Sequence, residues 1–311
     1  MHNVFNCPSY AMTVNLTSAV RISLAACLIA VGSAQPSSKE EPIYVGILEP
    51  RVSDAPIPND LNRLRVRVAF QFLNGRWGSM PHDASSVESL ANLPKLYPSK
   101  LAWTLALDGK KVGAVNSVQP PSYTLYSEVG LQELTPDSKP PSVRGAFQSW
   151  MGSSNFRPLV AISRPNYGDP DRWKPIRPLP PLSNLARNAF RKAIALDLSC
   201  DDKPTRRYAD EYIQLRKAYR SDRGDMLLAL RANPARNPCG VSDGAWHSVW
   251  FLIRKADFHL IGTELTLVDA GDYNGNGTSE IIFHLTAYNR DGYVLLDLRD
   301  LSKTEFDWSY H

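Results

Sequence analysis

Two stretches of this chain alternate between two sides residue by residue and then stop at a tight-turn dipeptide, which constrains the fold more than any other feature. Leu64, Val66, Val68, Phe70 and Phe72 fall on one side, with Arg63, Arg65, Arg67, Ala69 and Gln71 on the other. A period of two matches a strand with one apolar face. Asn74-Gly75 follows, the strongest short hairpin signal, and Trp77 opens the return strand. Leu101, Trp103, Leu105 and Leu107 repeat the scheme, closed by Asp108-Gly109. Two hairpins are therefore expected. With 24 Pro against 18 Gly in 311 residues, long uninterrupted helices and coiled coils are disfavoured.

The C-terminal third reads the same way. Strands are expected over Val249–Arg254, Thr263–Val268, Glu280–Ala287, Tyr293–Arg299 and Glu305–Tyr310, with Ile281, Phe283 and Leu285 on one face and Ile282, His284 and Thr286 on the other. Residues 158–181 hold seven prolines and are expected to form an extended surface connection without a helix or a central strand. A helix capped near Ser183 follows, with Leu185, Ala189, Phe190, Ala193 and Ile194 on one side. Residues 208–232 suit either two strands around Asp222-Arg223-Gly224 or a second helix. No stretch reads as a linker between two cores, so residues 35–311 are expected to form one domain, mostly antiparallel β, with a helical or irregular insertion.

Residues 1–34 contain no Asp, Glu or Lys. Arg21, the apolar run Ile22–Val31 and Gly32-Ser33-Ala34 have the layout of a secretory signal peptide. The run is about half of what a bilayer span requires, so cleavage after Ala34 and a secreted or periplasmic location are expected, with no transmembrane span. The alternative is a lipoprotein in which Cys27 becomes the modified N-terminus. Cleavage leaves Cys200 and Cys239, which either form one disulfide, closing a loop of about 40 residues worth roughly 4 kcal/mol, or remain buried thiols. The net charge of +4 is too small to imply nucleic acid as an obligate partner.

One motif carries chemistry. Counting from Asp272 in Asp272-Tyr273-Asn274-Gly275-Asn276-Gly277-Thr278-Ser279-Glu280, oxygen-bearing side chains fall at positions 1, 3, 5 and 9, with Gly at 6. Alternate side chains of a tight loop can converge on a hard cation such as calcium, and the Thr278 carbonyl at position 7 can join them. Position 12 is Phe283 where an EF-hand needs a bidentate Glu. The same Asn-Gly dipeptides also make good metal-free turns.

The loop resembles the D-x-D-x-D-G-x-x-D/E loops of FG-GAP repeats, the calcium-loop blades of integrin-α-like β-propellers, over residues 263–287. That resemblance implies a mainly β fold that is propeller-like or else sandwich-like, and Asp272, Asn274, Asn276, Thr278 through its carbonyl, and Glu280 as calcium ligands. Asn replaces the usual Asp at two positions, so weak affinity is expected. The wider segment, through residues 288–293, is similar to secreted bacterial proteins of unassigned function that carry such loops.

Other candidates have ordinary explanations beside them. Arg223-Gly224-Asp225 spells an adhesion tripeptide but suits a turn. Arg63, Arg65 and Arg67 suit a solvated strand face. Trp173, inside the proline-rich stretch, is the tryptophan expected to be exposed and able to stack on a sugar or peptide. No H-E-x-x-H, Walker loop or G-x-G-x-x-G is present. These features point to a secreted, non-enzymatic binding or structural protein braced by calcium, with an unknown protein or glycan as ligand. The alternative is an exported hydrolase using Asp169, Asp171 or Asp83 with His82.

Overall fold

The computed structural model describes residues 41–50, 64–82, 86–123, 126–141, 158–194, 210–232, 248–287 and 289–309. The signal segment, Cys200, Cys239, Arg63 and Asp83 lie outside the described residues. Among the described residues the protein is mainly β and every sheet is antiparallel. Among the described residues, no helix is long and apolar enough to cross a membrane.

The first sheet contains β1 (Ile43–Pro50), β2 (Leu64–Leu73), β3 (Arg76–Ser79), β4 (Lys100–Leu107), β5 (Lys110–Val118), β6 (Leu131–Leu134) and β7 (Leu159–Ile162). Its order is β1-β7-β4-β5-β6-β2-β3, and β1 also pairs with β2 along its length. Both expected hairpins form. Asn74 and Gly75 have φ of 52° and 75°, and Asp108 and Gly109 have 52° and 70°. Positive φ at both central residues matches the right-handed twist of the strands they join. A short helix, α1 (Val87–Asn92), starts at Ser86, which exchanges capping hydrogen bonds with Ser89.

The second sheet holds β8 (Lys174–Pro175), β9 (Ile213–Arg220), β10 (Met226–Ala232), β11 (Ser248–Arg254) and β12 (Asp257–Thr263), in the order β12-β11-β10-β9-β8. Residues 213–232 are thus two strands around the Asp222-Arg223-Gly224 turn. The third sheet is a four-stranded meander of β13 (Leu265–Gly271), β14 (Glu280–Ala287), β15 (Arg290–Asp297) and β16 (Lys303–Ser309).

This third sheet lies between the other two. Ile282, Tyr293, Leu295 and Phe306 pack with Val66, Phe70, Trp103 and Leu105 of the first sheet. Ile281, Phe283, Leu285 and Val294 pack with Leu227, Trp250 and Leu252 of the second. The alternation read from β14 therefore separates two cores, and both of its faces are apolar because both are covered. On the far side of the second sheet, α2 (Asn184–Ile194) contributes Ala186, Phe190 and Ala193 to a third core. Ser183 caps α2 by accepting from Ala186 N at 3.2 Å.

Four expectations need correction. The proline-rich span does contain an interior strand: β7 is buried and lies between β1 and β4. Its four residues fall between Pro158 and Pro165, so the prolines flank the ladder and remove no donor from it. Leu185 is 67% exposed, because the buried stripe of α2 runs through Ala186, one position round the helix. Trp173 packs partly against the second core and is not a free stacking platform. Arg65 and Arg67 are buried, not solvated. Arg67 donates to Glu49, Val129 O and Ser127 O, with its guanidinium 3.9 Å from the centre of the Trp308 ring. Arg65 pairs with Glu133 and Glu128. Each charge is compensated by hydrogen-bonded partners, which is the condition for burying it.

Candidate functional site

The loop from Asp272 to Ser279 leaves β13 and enters β14, so the ends of two paired strands hold it in place. Its backbone turns at Gly275 and Gly277, each with φ of 83°, where an L side chain is strained. The Asp272 carboxylate accepts three backbone N–H groups, from Gly275 at 2.6 Å, Asn276 at 3.0 Å and Gly277 at 3.0 Å. Asn274 Oδ1 accepts from Asn276 N, and Asn276 Oδ1 accepts from Thr278 N at 2.7 Å. These are Asx turns in succession, the geometry these residue types favour.

Glu280 closes the loop from beneath and is fully buried. It accepts from Tyr273 N at 2.8 Å, Asn274 Nδ2 at 2.5 Å and Trp77 Nε1 at 3.3 Å. Burial pushes its carboxyl up to about 8, against the lowering effect of these donors, with Asp297 and Asp272 adding to the rise. A cation in the loop would relieve that penalty. Asp272, Asn274, Asn276 and Glu280 are joined in one hydrogen-bonded unit, and Thr278 enters it through its own N–H. Among the described residues, no group of three or more His, Cys, Asp or Glu side chains could hold an ion. An ion here would depend on two carboxylates with amide and carbonyl oxygens, a hard-oxygen set that fits calcium and would bind it weakly.

A strap following β7, residues 163–173, crosses this loop. Tyr167 donates to Asp269 Oδ2 at 2.5 Å and its ring stacks on Tyr273 at 5.8 Å. Burial, then the Asp269 charge, pushes both phenols up, so both remain protonated. Asp272 N donates to Gly168 O at 2.9 Å. Asp169 accepts from Ser279 Oγ at 2.6 Å, Trp173 N at 2.6 Å and Asp171 N at 3.1 Å. Asp171 accepts from Ser279 N at 3.1 Å and pairs with Arg223, which also donates to Gly277 O at 2.8 Å. The guanidinium of Arg164 lies directly over Gly275.

These contacts reassign several candidates. Asp169 and Asp171 hold the strap to Ser279. His82 lies elsewhere, beside Ser79, Met80 O and Asp307. The contacts of Asp169 and Asp171 and those of His82 share no residue, and Asp83 lies outside the described residues. In the adhesion tripeptide, Arg223 is engaged as above and Asp225 pairs with Arg254 at 2.7 Å. Sequence reasoning missed Arg164, Tyr167 and Trp77. Nothing in their local spacing marks them, because each reaches the loop through tertiary packing.

Beside the loop the strap forms an open cleft of about 420 Å³ lined by Arg164, Asn166, Asp169, Pro170, Arg172 and Asp272, among others. Compared with protein families, curated proteins and solved structures, the chain matches none.

Proposed function

We propose that this is an exported, non-enzymatic binding or structural protein whose three sheets are braced at the Asp272–Glu280 loop, with calcium as the bracing ion. The observation that carries this reading is convergence. The loop and its flanking residues bond to the strap after β7, to Trp77 of β3, to the β9–β10 turn through Arg223, and to the β4–β5 turn, where Gly109 N donates to Asp269 at 3.0 Å. An ion there would tie elements of all three sheets at one point. Calcium would supply only charge neutralisation and cross-linking. Asp272, Asn274, Asn276, the Thr278 carbonyl and Glu280 would hold it.

Two successive four-stranded meanders, β9–β12 and β13–β16, stack face to face with the loop inside the second. That arrangement supports a blade-like, FG-GAP-type reading of this half of the chain. The test is thermal unfolding of the full chain in 1 mM calcium and in excess chelator. A dissociation constant near 0.1 mM gives about 1.4 kcal/mol of added stability, a shift of roughly 2–4 °C. Asp272→Ala should abolish the shift. An unchanged midpoint in wild type sinks the calcium reading and leaves the loop as a metal-free joint.

A further inference from the structure

We propose that the cleft between the strap and the loop binds a small monocarboxylate, with Arg164 and Arg172 as the receiving groups. Each oxygen of the acidic residues on its wall already accepts at least one hydrogen bond. Both Asp169 oxygens accept from Ser279, Asp171 and Trp173, and both Asp272 oxygens accept from the loop's own backbone N–H groups. The unused hydrogen-bonding capacity is on the donor side. Arg164 Nη1 is buried with no acceptor, a costly state for a charged donor. A modest turn of that guanidinium toward the cleft it lines would give it one.

Arg172 is 71% exposed and only 3.6 Å from Asp222, a carboxylate it shares with Lys174 at 3.4 Å. Its φ of 50° is unusual for a residue other than glycine and fixes the strap where the side chain reaches the cleft. Two arginines lining one cleft can present their guanidinium forks to a planar carboxylate once Arg164 has turned. The two fixed carboxylates on the wall disfavour a doubly charged phosphate more than a singly charged acid. The volume lies within the range of small-molecule sites and admits an acid of monosaccharide size.

The test uses the full chain in chelator, so that its outcome does not depend on the calcium reading. D-galacturonate, neutral D-galactose and inorganic phosphate are titrated by calorimetry or ligand-observed NMR. Galacturonate should bind, galactose should not, and phosphate should bind more weakly than galacturonate. Arg172→Gln, on an exposed side chain, should keep the wild-type unfolding midpoint and weaken galacturonate about tenfold. Arg164→Gln should weaken it by a similar factor, and Arg164→Lys should recover only part because the fork is lost. The proposal is overturned if galacturonate fails to bind at 20-fold above ~1 mM, a weak-binding scale. It is also overturned if galactose or phosphate matches galacturonate, or if the Arg164→Gln/Arg172→Gln protein binds as well as wild type.

Discussion

Gly271 is the position where the docking of the strap can be tested most sharply. It ends β13, and a Cβ built there would sit 2.2 Å from Tyr167 Oη, 2.4 Å from Cε2 and 2.5 Å from Cζ. No small rotation clears three atoms of one ring, so Gly271→Ala must drive Tyr167 off the loop. Overpacking of this kind costs about 1–3 kcal/mol. Losing the Tyr167 hydrogen bond to the Asp269 carboxylate adds about 1.5–3 kcal/mol. The expected total is about 2.5–6 kcal/mol, measured by denaturant unfolding at constant m-value. Gly277→Ala is the control, since its Cβ meets nothing within 4 Å and it bears only the left-handed backbone penalty of about 1–2 kcal/mol. Adding Tyr167→Ala to Gly271→Ala should be markedly less than additive, because the clash is then gone. If Gly271→Ala costs no more than Gly277→Ala, the strap does not dock as described and the convergence argument fails.

Arg67→Ala should cost about 3–5 kcal/mol by leaving the Glu49 charge buried beside Tyr293, whose hydroxyl donates to it at 2.5 Å. The pair replacement Arg67→Met/Glu49→Gln should recover most of that loss in the same unfolding assay. In chelator, stability should fall as pH rises from about 5 through 8. The Glu280 carboxyl is held above its unfolded value, so the folded state keeps a proton that it loses across that window. The drop should be on the order of a few kcal/mol, and Glu280→Gln should flatten it. On the acid side, burial lowers the His284 pKa, so its contribution is present above about 6.5 and lost as pH falls. His284→Gln should remove that limb, read as the unfolding midpoint against pH.

The hairpins were legible because each signal is local: alternation fixes a face, and Asn74-Gly75 or Asp108-Gly109 supplies two positive φ angles. β12 was not legible for the complementary reason. It is reached through Lys255 and Ala256, with φ of 52° and 71°, residues that carry no turn signal and take this conformation under the constraint of pairing. β7 was hidden by its brevity between prolines, since its identity as a strand comes from partners far away in sequence. Arg65 and Arg67 read as a solvated edge because alternation cannot show that the fold brings Glu49, Glu128 and Glu133 against them. In the candidate site, spacing alone marks Asp272, Asn274, Asn276 and Glu280. Arg164 and Tyr167 lie more than a hundred residues earlier, and only the fold brings them to the loop.

Arg164 links the two proposed activities with opposite signs. Its guanidinium sits over Gly275, at the lip of the loop, where it would repel a divalent ion and attract a carboxylate. A doubly charged ion and a neighbouring single charge in a water-like dielectric interact by about 1 kcal/mol. Arg164→Gln should therefore tighten calcium about fivefold while weakening galacturonate about tenfold. Simple damage to the loop would weaken both, and a side chain irrelevant to both would move neither. Isothermal titration of the variant with each ligand separates these cases. If calcium and galacturonate change in the same direction, Arg164 acts through the structure of the loop and not through its charge.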